Sequence, residues 1–206
     1  MYDEENWETI ADEEVKELLE RSNPVDGLYP VSVETTQARK RSLPFYDQAL
    51  LVRLTDPSWD DANLALFYLF EKDTLYRLNG QSNPIHELNA KVALTLTEEN
   101  VLDYLRFFAF FVRGEEGAFL IVEDIQNPDL PQDMDNHSRE TLEKYLRPAA
   151  IEGETEDGSF LCKAPVFYSN ALFISTFEVS RSGVIDIREH ETVAADLPFT
   201  ANVPIS

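Results

Sequence analysis

A single cysteine, Cys162, occurs in the 206 residues, so no intrachain disulfide can form and no cysteine cluster can hold zinc. No uninterrupted apolar run approaches the roughly 20 residues that a membrane-crossing helix needs. Positive charge is scarce. Lys and Arg number 17 against 39 Asp and Glu, a formal net charge of −22. Nucleic acid and anionic membranes would meet a field of their own sign, which excludes both as expected partners. The opening stretch, MYDEENWETIADEE, is acidic where a signal peptide is basic and then apolar. A cytoplasmic protein is expected. No P-loop, Rossmann glycine fingerprint, His-Glu-x-x-His or Gly-x-Ser-x-Gly pattern occurs. No cofactor is implied, although an active site assembled from scattered residues needs no such motif.

What is present is material for a core: 43% hydrophobic and 11% aromatic residues, in a chain long enough for one domain or one with a small satellite. Its densest part is YLRFFAFFVRGEEG, Tyr104 to Gly117. Val101, Leu105, Phe108 and Val112 have helical spacing. Thr97 is the expected N-cap, Glu98 and Glu99 suit the positive end of the helix dipole, and Gly114 is the expected terminator. The pattern predicts a helix over 98–113 that is apolar nearly all round, hence enclosed by other elements.

Asp3 to Glu20 predicts a second, amphipathic helix with Trp7, Ile10, Val15, Leu18 and Leu19 on one face. Nine carboxylates lie in the first twenty residues of the chain against one lysine, which disfavours a symmetric contact between two copies. Docking on its own domain, in a monomer, is expected. Further on, 28–34, 49–54, 63–70, 74–78, 91–96, 118–123, 159–168, 171–180 and 184–192 read as strands. Residues 35–42, with the basic cluster Arg39-Lys40-Arg41, read as a polar loop, either a counterweight to the acidic N-terminus or a site for a phosphate or acidic partner. Ser138 is the expected cap of a short peripheral helix stopped by Pro148. The sum is α+β: a mostly antiparallel curved sheet packed around one buried Phe-rich helix. The expected organisation is an N-terminal helix (1–21), a body of strands and central helix (28–124), a Pro-broken acidic loop (125–137), and a helix with antiparallel strands (138–206) completing the same domain.

Candidate chemistry is sparse. Cys162 sits in an apolar strand and reads as buried and inert. Asp133-Met-Asp135-Asn136-His137 alternates oxygen ligands but lacks the glycine and closing glutamate of a calcium loop. Glu189-His190-Glu191 puts at most the two glutamates on one side of a strand. No metal site is expected. His86, in a loop before a strand, could act as an acid or base. Asp103, Tyr104 and Arg106 lie on the apolar helix, where a charge must reach solvent or a partner. These four residues are the candidate site of an enzyme or small-ligand binder. The leading expectation is different: a non-catalytic binding or regulatory module, such as an inhibitor or immunity-type protein, whose partner is a basic protein.

Overall fold

The computed structural model describes residues 6–22, 31–60 and 64–201. The chain divides into two compact units, one made of Tyr2–Asn79 and Asn83–Ala93, the other of Gly80–Ser82 and Leu94–Val203. Residues 125–137 fall inside the latter. The class is α+β, with four helices and twelve strands among the described residues, and every strand pairing is antiparallel.

The first unit opens with β1 (Glu8–Thr9) and α1 (Asp12–Ser22). A meander follows: β2 (Gln37–Ser42), β3 (Leu50–Thr55), β4 (Leu66–Glu71) and β5 (Thr74–Arg77), in the spatial order β1-β2-β3-β4-β5. Strand β4 is apolar on both faces and buried from Leu66 to Leu69, as its uninterrupted LFYL run requires. One face of the sheet presents Ala38, Val52, Leu54, Leu66 and Tyr68, and these pack with Ile10, Val15, Leu18 and Leu19. The N-terminal segment therefore docks on its own sheet. A short helix, α2 (Asn83–Asn89), adds the fully buried Ile85 and Leu88, with Pro84 in its first turn where the missing N–H costs nothing.

The second unit begins its regular structure with α3 (Val101–Phe111). The hairpin β6 (Arg113–Gly114) and β7 (Gly117–Ala118) follows, then β8 (Leu120–Ile121) and α4 (Asn136–Glu143). Strands β9 (Ala150–Glu154), β10 (Phe160–Tyr168), β11 (Ala171–Val179) and β12 (Ile185–Ala194) complete it. The sheet order is β12-β11-β10-β8, with β9 also on β10. Register shifts at Leu161/Cys162, Leu172/Phe173 and Thr176/Phe177 insert bulges that bend and twist it. Helix α3 packs along β7 and β8, and its fully buried Tyr104 donates a 2.8 Å hydrogen bond to Gly183 O in the β11–β12 turn. Val101, Leu105, Phe107, Ala109, Phe110 and Phe111 are also buried, with the Phe107 and Phe111 rings tilted 55° to each other at a centroid distance of 5.0 Å.

Several local expectations are corrected. The Phe-rich helix is shorter than 98–113. Its N-cap is Asn100, whose Oδ1 accepts from Thr97 N–H, and it stops at extended Val112 because Arg113 and Gly114 enter a strand. Trp7 and Ile10 lie before α1, not on it, since residues 8–9 pair with β2. Segment 35–42 is largely strand β2: Arg39 and Lys40 alternate across a paired ladder, and polarity alone does not make a loop. Residues 91–96 form no strand, while β9 was not foreseen. Asp135, not Ser138, caps α4, accepting from Ser138 N–H at 3.0 Å and its hydroxyl at 2.6 Å. Of the expected strand 28–34, residues 28–30 lie outside those described, and 31–34 form none.

Both clusters yield a direct test. Phe107→Ala is expected to cost about 3–5 kcal/mol and Leu18→Ala about 2–5 kcal/mol, read from urea melts. Near-unchanged midpoints would contradict the burial of α3 and the docking of α1 respectively.

Candidate functional site

The residues singled out in the sequence fall in both units. His86 lies on α2 in the first unit, in a helix and not a loop. Asp103, Tyr104 and Arg106 lie on α3 in the second. Tyr104 is committed to Gly183 O. Arg106 and Asp103 do meet: Nη1 donates to Asp103 Oδ1 at 2.8 Å. The larger partner is Glu123, which the sequence reading missed because it lies 17 positions away. Arg106 Nε and Nη2 grip its two carboxylate oxygens at 2.9 and 2.8 Å, and Ala149 N–H donates to Oε1 at 2.7 Å. All three guanidinium nitrogens are thereby engaged in a bidentate, charge-assisted clamp that ties α3 to the chain after β8. Burial alone would raise the Glu123 pKa. The Arg106 and Ala149 donors outweigh it and hold the carboxyl below its ordinary range.

The basic cluster is also spoken for by its fold. Arg39 sits opposite Arg53, the Arg41 guanidinium lies 5.7 Å from the Trp7 ring centroid, and Lys40 points to the other face, 3.8 Å from Glu14. Cys162 is fully buried on β10, and loss of hydration pushes its thiol up to about 11.

The open feature lies elsewhere in the second unit. On one sheet face Phe160, Cys162, Ala164 and Val179 are covered, whereas the neighbouring part of that face forms an open groove of about 190 Å³. Register explains its lining. Val166 pairs with Phe173, Ser175 with His190 and Phe177 with Ile187, and cross-strand partners share a face. Phe119 and Tyr168, stacked at 4.4 Å, form one wall; the ring of His190 meets Phe173 edge-on at 6.2 Å and forms another. Ile187 is 51% exposed, unusual for an isoleucine.

The rim is acidic. The hairpin tip carries exposed Glu115 and Glu116, and Glu116 N–H donates to Tyr168 Oη at 2.9 Å, fixing that tip beside the groove. Gly114 permits the approach, since a Cβ there would lie 2.5 Å from Tyr168 Oη. Its lining is mostly apolar and aromatic. Ser175 and His190 are cross-strand neighbours in it. The sequence signal for the groove was weak: Phe119, Phe173 and Phe177 read as ordinary strand residues, and only the register brings them together.

Comparison with models of protein families, with curated proteins and with solved structures finds no match to this chain.

Two tests follow. Arg106→Leu strands the Glu123 carboxylate, at an expected cost of about 1–3 kcal/mol near neutral pH. A depressed carboxyl contributes stability above its unfolded pKa, about 4.3, and loses it as pH falls through the lower folded value. The gap between wild type and variant should therefore shrink on acidification, measured by urea melts at a series of pH values; a gap independent of pH would refute the clamp. The Cys162 thiol should stay unreactive toward an aromatic disulfide reagent near pH 8 until denaturant unfolds the chain. Rapid labelling of the native protein would show the site is open.

Proposed function

We propose that this protein is a non-catalytic binding module of the cytoplasm, working as a monomer, whose partner is a basic protein that seats an apolar side chain in the aromatic groove of β10–β12. The observation that carries the reading is the groove itself: an aromatic wall, an exposed isoleucine and an acidic rim in one place. Apolar burial supplies affinity, and the glutamates select against acidic competitors. The charge of −22 adds long-range attraction for a basic partner and speeds encounter at low salt. A lone buried thiol is at home in a reducing compartment. Asp103 and Arg106 meet each other, and Arg106 grips Glu123, which supports a structural role for this pair.

The test uses defined probes, a lysine–valine peptide and a glutamate–valine peptide of equal length, titrated against isotopically labelled protein. The lysine peptide is expected to shift resonances of Phe119, Tyr168, Phe173 and His190, more weakly as salt rises. Ile187→Lys should weaken this at least tenfold while leaving the melting temperature within the small range typical of surface changes. Equal binding of the glutamate peptide, or shifts that avoid the groove, would overturn the reading.

A further inference from the structure

The groove is bordered by an edge. Among the described residues β12 pairs only with β11, so the outer row of its N–H and C=O groups has no ladder partner. Its exposed run, Asp186 to Thr192, is the longest in any strand among the described residues. The two faces of this strand differ in chemistry. Ile187 and His190 line the groove, whereas Asp186, Glu189 and Glu191 pair with Glu178, Thr176 and Ile174 and lie on the opposite face. Ile187 and His190 stand three positions apart, which a regular strand would send to opposite faces. The bulge between Phe177 and Thr176 resolves this. Arg188 is the extra residue, turned back to donate to Glu178 and form an ion pair with it. Bulges of this kind re-aim side chains beside functional surfaces.

We propose that the partner segment binds as an added strand along the free edge of β12, and that it alternates apolar and basic residues. This rests on the binding reading above and gives it a geometry. An added strand satisfies the open backbone row, and its side chains alternate between faces with period two. Those on the groove side pack on Ile187 and His190, which border the groove. Those on the other side meet Asp186, Glu189 and Glu191. A helical ligand could fill the groove but would leave the backbone row open and bring no charge to the far face. A second copy of this chain is disfavoured as occupant, because its own edge would bring the same carboxylates.

The experiment compares two probes of identical composition and of about ten residues, roughly the length of β12. One alternates lysine and valine; the other spaces its valines at helical intervals of three and four. The alternating peptide is expected to bind at least tenfold more tightly and to slow hydrogen exchange at the outward N–H groups of β12. The double variant Glu189→Lys, Glu191→Lys should switch preference to an alternating glutamate–valine peptide, with the melting temperature retained. If the helical-spaced peptide binds equally and β12 exchange is unchanged, strand addition is overturned while groove binding stands. If neither peptide perturbs the groove, both fall.

Discussion

Nine consecutive cross-strand pairs, from Phe160–Val179 to Tyr168–Ala171, set the register of the larger unit, and most of what it does follows from them. Because side chains alternate, a slip of one position would send every aromatic on this ladder to the other face. In the observed register Cys162 and Phe160 go into the core and Val166, Phe173 and Phe177 go to the groove. The short β10–β11 turn, with Ser169 in the left-handed region at φ 55°, closes the ladder and holds that choice.

Charge is handled by two different devices. Over most of the surface the acids are simply exposed, where each costs little. Inside the larger unit the few cations are used as ties. Arg106 joins α3 to Glu123, and Arg181 spans the carbonyls of Gly158 and Leu96 and the carboxylate of Glu154 while its guanidinium lies 3.9 Å from the Phe160 ring centroid. Arginine suits both places because its planar group donates in several directions at once and stacks on rings. In a chain with so little positive charge, placing two arginines at joints between distant segments makes them disproportionate in their structural effect.

The α+β class, the enclosed Phe-rich helix and the self-docked N-terminus were legible in the sequence, because periodicity reports which face of an element is apolar. What was not legible has a common cause. The Arg106 clamp needed Glu123 and the Ala149 N–H, groups that no local pattern joins to it. The β2 strand was hidden because QARKRS is polar throughout; what holds it is backbone pairing with β1 and β3, and it buries only Ala38 fully. The helix ends were misread at Thr97 and Gly114 since both residue types serve capping and other roles equally, and tertiary pairing at Arg113–Gly114 decided between them. The groove belongs with these. Phe119, Tyr168 and Phe173 are core-like residues one by one, and their partial exposure is a property of the assembled sheet.

An unpaired strand edge beside an apolar groove is also the geometry through which sheets recruit copies of themselves. Here a net charge of −22 opposes such contacts, so acidity acts as colloidal protection. That protection is conditional. Near the sequence isoelectric point of about 4.3 the net charge vanishes, and with it the long-range repulsion between molecules. An open strand edge thus bears on the acidity at which the protein can be stored or concentrated.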